Sequence, residues 1–75
     1  LVEFETVRAK EVNFGKNNFI EVARKKAKTP EGENEFISIS RGYHLPDGRK
    51  KWKASIALPQ EKEKLEEIAD LIVTL

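Results

Sequence analysis

Cations and aromatic rings are interleaved with strand-forming apolar residues in three stretches of this chain, KNNFIEVARKKAK, EFISISRGYHL and GRKKWKASIAL. An antiparallel sheet built from them is expected to show one basic, ring-studded face. Such a face holds phosphates by charge and unpaired bases by stacking. The cations are Arg24, Lys25, Lys26 and Lys28 on the first stretch, Arg41 near the end of the second, and Arg49, Lys50, Lys51 and Lys53 on the third. A single basic pair is usually a solvated strand face or protection of a sheet edge. Three segments that are neighbours in a meander favour binding of a polyanion instead.

The rings divide into two groups. Phe4, Phe14, Phe19 and Trp52 share strands with aliphatic residues and read mainly as core, while Phe36 falls on the side of Ser38 and Ser40. Tyr43, beside Arg41 and His44 at a strand end, is the best stacking platform. Trp52 either stacks on bases or fills the core beneath a helix.

Catalytic chemistry has few candidates. His44 is the sole histidine and cysteine is absent, so no thiolate or histidine metal cage and no disulfide framework is available. Ser38, Ser40 and Ser55 read as surface hydroxyls or phosphate donors, not nucleophiles. No glycine-rich phosphate loop is present either, because Gly15, Gly32, Gly42 and Gly48 are dispersed in turns and at a strand end. The expectation is a non-enzyme without metal or cofactor.

Seventy-five residues make one domain, spanning 1–75, near the size at which a single core stops sufficing. Oligomerisation is the natural remedy. The net charge of +1 conceals an acidic tail, where Glu61, Glu63, Glu66, Glu67 and Asp70 outnumber Lys62 and Lys64. Charged residues at 36%, dominated by Lys and Glu, lean towards a thermophilic source. No apolar run approaches a membrane span and no signal peptide opens the chain, so the expectation is an intracellular protein of cytoplasm, nucleoid or nucleus. Starting at Leu1 without any methionine, the chain reads as a segment of a longer protein.

Four strands and a helix must position these residues. Val2 to Phe14 alternates imperfectly and reads as a long or bent edge strand, followed by a hairpin turn in FGKNN. In Phe19 to Lys28, Ile20 and Val22 oppose Phe19, Glu21, Ala23 and Lys25. A turn at Thr29-Pro30-Glu31-Gly32 leads to a strand from about Glu35 to Tyr43, with Ile37, Ile39 and Arg41 inward and the serines outward. Leu45-Pro46-Asp47-Gly48 is the strongest turn signal. In Lys50 to Leu58, alternation puts Trp52, Ala54, Ile56 and Leu58 on one side and Lys51, Lys53, Ser55 and Ala57 on the other. A helix opens near Pro59, and Leu65, Ile68, Ala69, Ile72 and Leu75 form its apolar stripe. Leu71 and Val73 widen that stripe. With Ile72 and Leu75, Leu71 is the expected dimer contact.

The fold class is therefore α+β: a curved four-stranded antiparallel sheet followed by an amphipathic C-terminal helix that dimerises.

The strings FGKNNFIEVARKKAK and ISISRGYHLPDGRKKWKASIALPQEKEKLEEI resemble the single-stranded-DNA-binding domain of the coactivator family of positive cofactor four, within the wider whirly-type group. The shared features are the Gly15-Lys16 turn, the basic second strand, the isoleucine-rich third strand ending in an aromatic, the Pro46 to Gly48 turn, the basic fourth strand and the proline-started helix. The resemblance implies a homodimer joined through its helices that holds single-stranded DNA. It assigns contacts to Lys25, Lys26, Lys28, Arg41, Tyr43, Lys51 and Lys53. The KTPEGENE link is longer here, an aromatic near Lys25 or Lys26 is missing, and VEFETVRAKEV departs from the family, as in a divergent archaeal-type single-strand binder.

The expected function is non-catalytic, largely sequence-independent single-stranded DNA binding in transcription, replication or repair, with Arg24, Lys25, Lys26, Lys28, Arg41, Tyr43, Lys51, Trp52 and Lys53 at the interface. RNA binding and a protein-interaction module are the alternatives.

Overall fold

The computed structural model describes residues 2–75. Strands β1 (Glu3–Phe14), β2 (Asn18–Thr29), β3 (Gly32–His44) and β4 (Lys50–Leu58) precede one helix, α1 (Lys62–Thr74). The strands form a single antiparallel meander in chain order, with β1 and β4 at the edges. The expected α+β architecture is thus present. Among the described residues no helix is long and apolar enough to cross a membrane.

Each turn forms where its residues demand one. Gly15, at φ 60°, closes the first hairpin in a conformation few other residues adopt without cost. In the third, the Gly48 amide donates to the Leu45 carbonyl at 2.9 Å, and the Arg49 amide donates to Asp47 Oδ1 at 3.0 Å. The second hairpin is tighter than KTPEGENE suggests. Thr29 pairs with Gly32, so only Pro30 and Glu31 remain as loop, and the strands run longer than the expected Lys28 and Glu35 limits. The Thr29 hydroxyl accepts from the Glu31 amide and donates to the Gly32 carbonyl, which stabilises this short connection.

Two bulges bend the sheet. Pairing with β2 skips Val7 in β1, and pairing with β3 skips Lys53 in β4. An extra residue raises local twist and reverses the side-chain parity beyond it. The consequence is largest for Trp52. Simple alternation puts it with Ile56 and Leu58, but register pairs it with Gly42, in the row of Asn13 and Phe19 on the opposite face.

The two faces differ sharply in burial. Phe19, Ala23, Ser38, Ser40 and Gly42 are the buried residues among those described, and register places all of them on one face. That face is concave. Side chains from edge strand β1 meet side chains from β4 above Phe19, although three strand spacings, roughly 14 Å, separate those edges in a flat sheet. The serine side of β3, expected to face outward, is therefore the more enclosed one.

Helix α1 crosses the other, convex face. Leu65, Ile68, Ala69 and Ile72 line an apolar cleft with Val22, Ile37, Ile39 and Leu58, as the stripe predicts. The cleft is only partly closed: no helix residue is buried, and Val22 and Ile56 remain 44% and 58% exposed. The helix also starts later than Pro59. Glu61 is its N-cap with extended backbone and no side-chain cap bond, which leaves Pro59 and Gln60 as a linker. Gln60 donates to Glu35 Oε1 at 3.3 Å, anchoring that linker to β3.

Candidate functional site

The register distributes the expected binding residues over three places, because consecutive strand residues point to opposite faces. Lys25 and Trp52 lie on the concave face. Arg41, Tyr43 and Lys51 lie on the convex face at one end of the sheet, where the Lys53 ammonium stands 6.0 Å above the Tyr43 ring and the Arg41 guanidinium 5.6 Å above Phe14. Arg24, Lys26 and Lys28 lie at the other end of the convex face. The single basic face is therefore corrected to a divided one.

The three convex cations at the far end are also engaged. Arg24 pairs with Glu35 at 3.6 Å, Lys26 with Glu33 at 3.6 Å and Lys28 with Glu5 at 2.9 Å. The hydrogen bond from Lys28, reinforced by its charge, holds the Glu5 carboxyl below the usual carboxylate range, and the same bond raises Lys28. These residues stitch strands together. Lys25, Arg41, Lys51 and Lys53 have no carboxylate within ion-pair distance among the described residues.

The concave face has the shape of a groove. Its floor is a triangle of hydroxyls: Ser40 and Ser55 are 3.0 Å apart, Ser38 and Ser55 3.3 Å, and Ser38 and Ser40 3.5 Å. Each is satisfied by the others, which allows burial of Ser38 and Ser40 at 3% and 4% exposure. Exposed rings stand towards both ends. Trp52 is 51% exposed and packs edge-on to Phe19 at 5.0 Å, while Phe4, 68% exposed, meets Phe36 edge-on at 6.2 Å. Of the rings expected in the core only Phe19 is buried, at 0%; Phe4, Phe14 and Trp52 are exposed. Trp52 also lies on the face away from the helix and does not pack beneath it.

One end of the groove is bridged. Lys50 donates to Glu11 Oε1 at 2.6 Å across the sheet, with its ammonium 5.0 Å from the Phe19 centroid and 5.8 Å from that of Trp52. His44 stacks obliquely on Phe19 at 5.0 Å, and its Nε2 lies 3.1 Å from Asn13 Oδ1 and 3.7 Å from Glu11 Oε2. Sequence patterning had no means of joining Glu11 to Lys50, because their contact depends on how far the sheet curls.

The groove also contains a pocket of about 370 Å³ whose lining includes Thr6, Glu21, Lys25, Trp52 and Ser55. Register sets Glu21 directly between Glu11 and Ser40. Glu11 is neutralised by Lys50, whereas Glu21 has no cation within ion-pair distance among the described residues. No group of three or more histidine, aspartate or glutamate side chains among those residues could hold a metal ion.

Gly42 shapes this site without joining it. A Cβ there would press on the Lys51 carbonyl oxygen and come within 2.8 Å of Phe19 Cζ. Only glycine lets the Phe19 ring lie over β3 beside the bulge. Spacing along the chain places Gly42 only at a strand end; the signal of its role is its place opposite the Phe19 ring.

No family model matches the chain, and neither a curated protein nor a solved structure matches it.

Proposed function

We propose that this protein is a non-catalytic binder of single-stranded nucleic acid that works as a homodimer. The observation that carries the reading is Trp52: a half-exposed ring in a concave, hydroxyl-floored groove, with Lys25 inside the groove and Lys51 and Lys53 beside it on the same edge strand. A strand crossing the β4 edge reaches all four. Its bases stack on Trp52, with Phe4 as a second platform, while Lys51 and Lys53 take phosphates outside. Arg41 and Tyr43 extend that phosphate track. The sequence resemblance to the positive-cofactor-four family points the same way, and its strings are its sole support.

The dimer is supported by surface area. A folded monomer of 8.6 kDa exposes about 4,700 Å², whereas this chain exposes 6136 Å². The excess, roughly 1,400 Å², is larger than the roughly 800 Å² each partner contributes to a standard interface. Ile72 lines the apolar cleft under α1, and it and the nearby Val73 and Leu75, at 69%, 82% and 99% exposure, make a second copy of this chain its natural cover.

Trp52 is the only tryptophan, so its fluorescence reports the site directly. Titration with an oligothymidine should quench it, and Trp52→Ala should weaken binding about tenfold, the scale of one stacked base. The charge reversal Lys51→Glu with Lys53→Glu should abolish binding, whereas Lys26→Glu with Lys28→Glu, on ion-paired positions, should reduce it far less. Equal losses from both pairs would contradict the assignment. A protein-interaction module predicts no oligonucleotide binding in any form.

A further inference from the structure

The pocket between Glu21, Lys25 and Trp52 contains a carboxylate where a polyanion site should avoid one. Glu21 is half-buried and has no cation within ion-pair distance among the described residues; its neighbour Glu11 is already held by Lys50. Lys25 lines the same pocket and can take a phosphate, but a phosphate placed at the Glu21 end meets an unpaired carboxylate, so that end of the groove floor repels the backbone of the strand. A base brings no net charge and can offer N–H donors. We infer that this pocket receives one unpaired nucleobase, and that Glu21 makes it select guanine.

The chemistry follows from the lining groups. A carboxylate has two acceptor oxygens and no donor. Guanine presents two parallel donors, N1–H and the N2 amino group, which match it bidentately. Thymine and uracil present one N–H flanked by two carbonyl oxygens that a carboxylate repels, and cytosine and adenine offer only an amino group beside a ring-nitrogen acceptor. Trp52 supplies the stacking wall, and the largest purine surface gains most from it. Ser55 and Ser40 are donor or acceptor as required, so they tolerate every base and select none. The Cα of Lys25, four residues along the strand on the same face, is roughly 13 Å from that of Glu21, which places Lys25 at the other end of the pocket for a neighbouring phosphate.

This inference rests on the proposed single-strand binding but can fail without it. The test is quenching of Trp52 by twelve-residue oligothymidines whose central base is T, C, A or G. Wild type should bind the single-G oligomer at least about fivefold more tightly than the all-T one, the scale of a good bidentate contact. Glu21→Gln should bind the all-T oligomer more tightly, through loss of repulsion, and reduce the G preference to under about twofold. Glu21→Asp, which keeps the charge on a shorter arm, should lose the preference without the gain. Circular dichroism on each variant confirms folding. If wild type binds all four oligomers equally, or if Glu21→Gln keeps the G preference, the pocket does not read guanine and general binding stands. If none of them quenches Trp52 or binds, the single-strand reading fails and this inference fails with it.

Discussion

Gly42 shows how one residue governs the groove. Phe19, wholly buried, lies against it, and Trp52 and His44 pack on Phe19 in turn. Gly42→Ala inserts a methyl between this ring and the backbone of β4. Overpacking of this kind costs about 1–3 kcal/mol, a large fraction of the stability of so small a chain. Urea denaturation should show a midpoint lowered accordingly, and an unchanged midpoint would mean that the Phe19 ring and the Lys51 carbonyl both move aside freely. Composition and turn propensity do not mark Gly42. Its role depends on a cross-strand neighbour, and cross-strand neighbours are known only when the register is known.

At the scale of elements, the edge strand β1 is held to β2 by backbone pairing and by side-chain pairs such as Glu5 with Lys28. Because the folded carboxyl of Glu5 titrates below its unfolded counterpart, its contribution is complete above the ordinary carboxylate range and is lost as pH falls through the lowered value. Lys28 is raised, so its contribution persists below the ordinary lysine range and is lost as pH climbs through the raised value. Stability from this pair is therefore flat through neutrality. Thermal melts of wild type and Glu5→Gln should differ slightly at neutral pH and converge on acidification; a gap that widens in acid would refute the assignment. Both side chains are accessible to water, so 1 M salt should also shrink the gap. The elements themselves were legible from patterning: the turns at Gly15, Pro30 and Pro46 and the helix stripe follow from local rules. The helix starts three residues after Pro59, since a proline is equally suited to a linker that must turn away from β4.

For the whole molecule, shape gives the argument. The chain measures 42 × 34 × 17 Å with a radius of gyration of 14.3 Å, against about 11 Å for a compact domain of this length. A thin sheet with a loosely seated helix supports the proposed dimer. Sedimentation equilibrium should give twice the chain mass for wild type, and Ile72→Asp, a substitution at a site already 69% exposed, should give monomer. A monomeric wild type would remove the dimer from the proposal. The divided charge has a consequence for salt dependence as well. With Lys25, Arg41, Lys51 and Lys53 as the phosphate contacts, the logarithm of affinity should fall against the logarithm of salt with a slope of about −3 per chain, at roughly −0.7 per contact on a single strand. A slope near zero would exclude phosphate neutralisation.

The sequence by itself determined the order of elements, the three turns, the apolar stripe of α1 and the supply of cations and rings. Each depends on spacing within a few residues, and that spacing survives whatever the rest of the chain does. Only the tertiary structure decided which side chains share a surface. One skipped residue at Lys53 carries Trp52 from the helix side to the groove, and the curl of the sheet brings Glu11 to Lys50 over Phe19. Alternation has a period of two, so a single bulge inverts everything beyond it. Curvature, in turn, sums small twists over four strands, and no one strand encodes it alone.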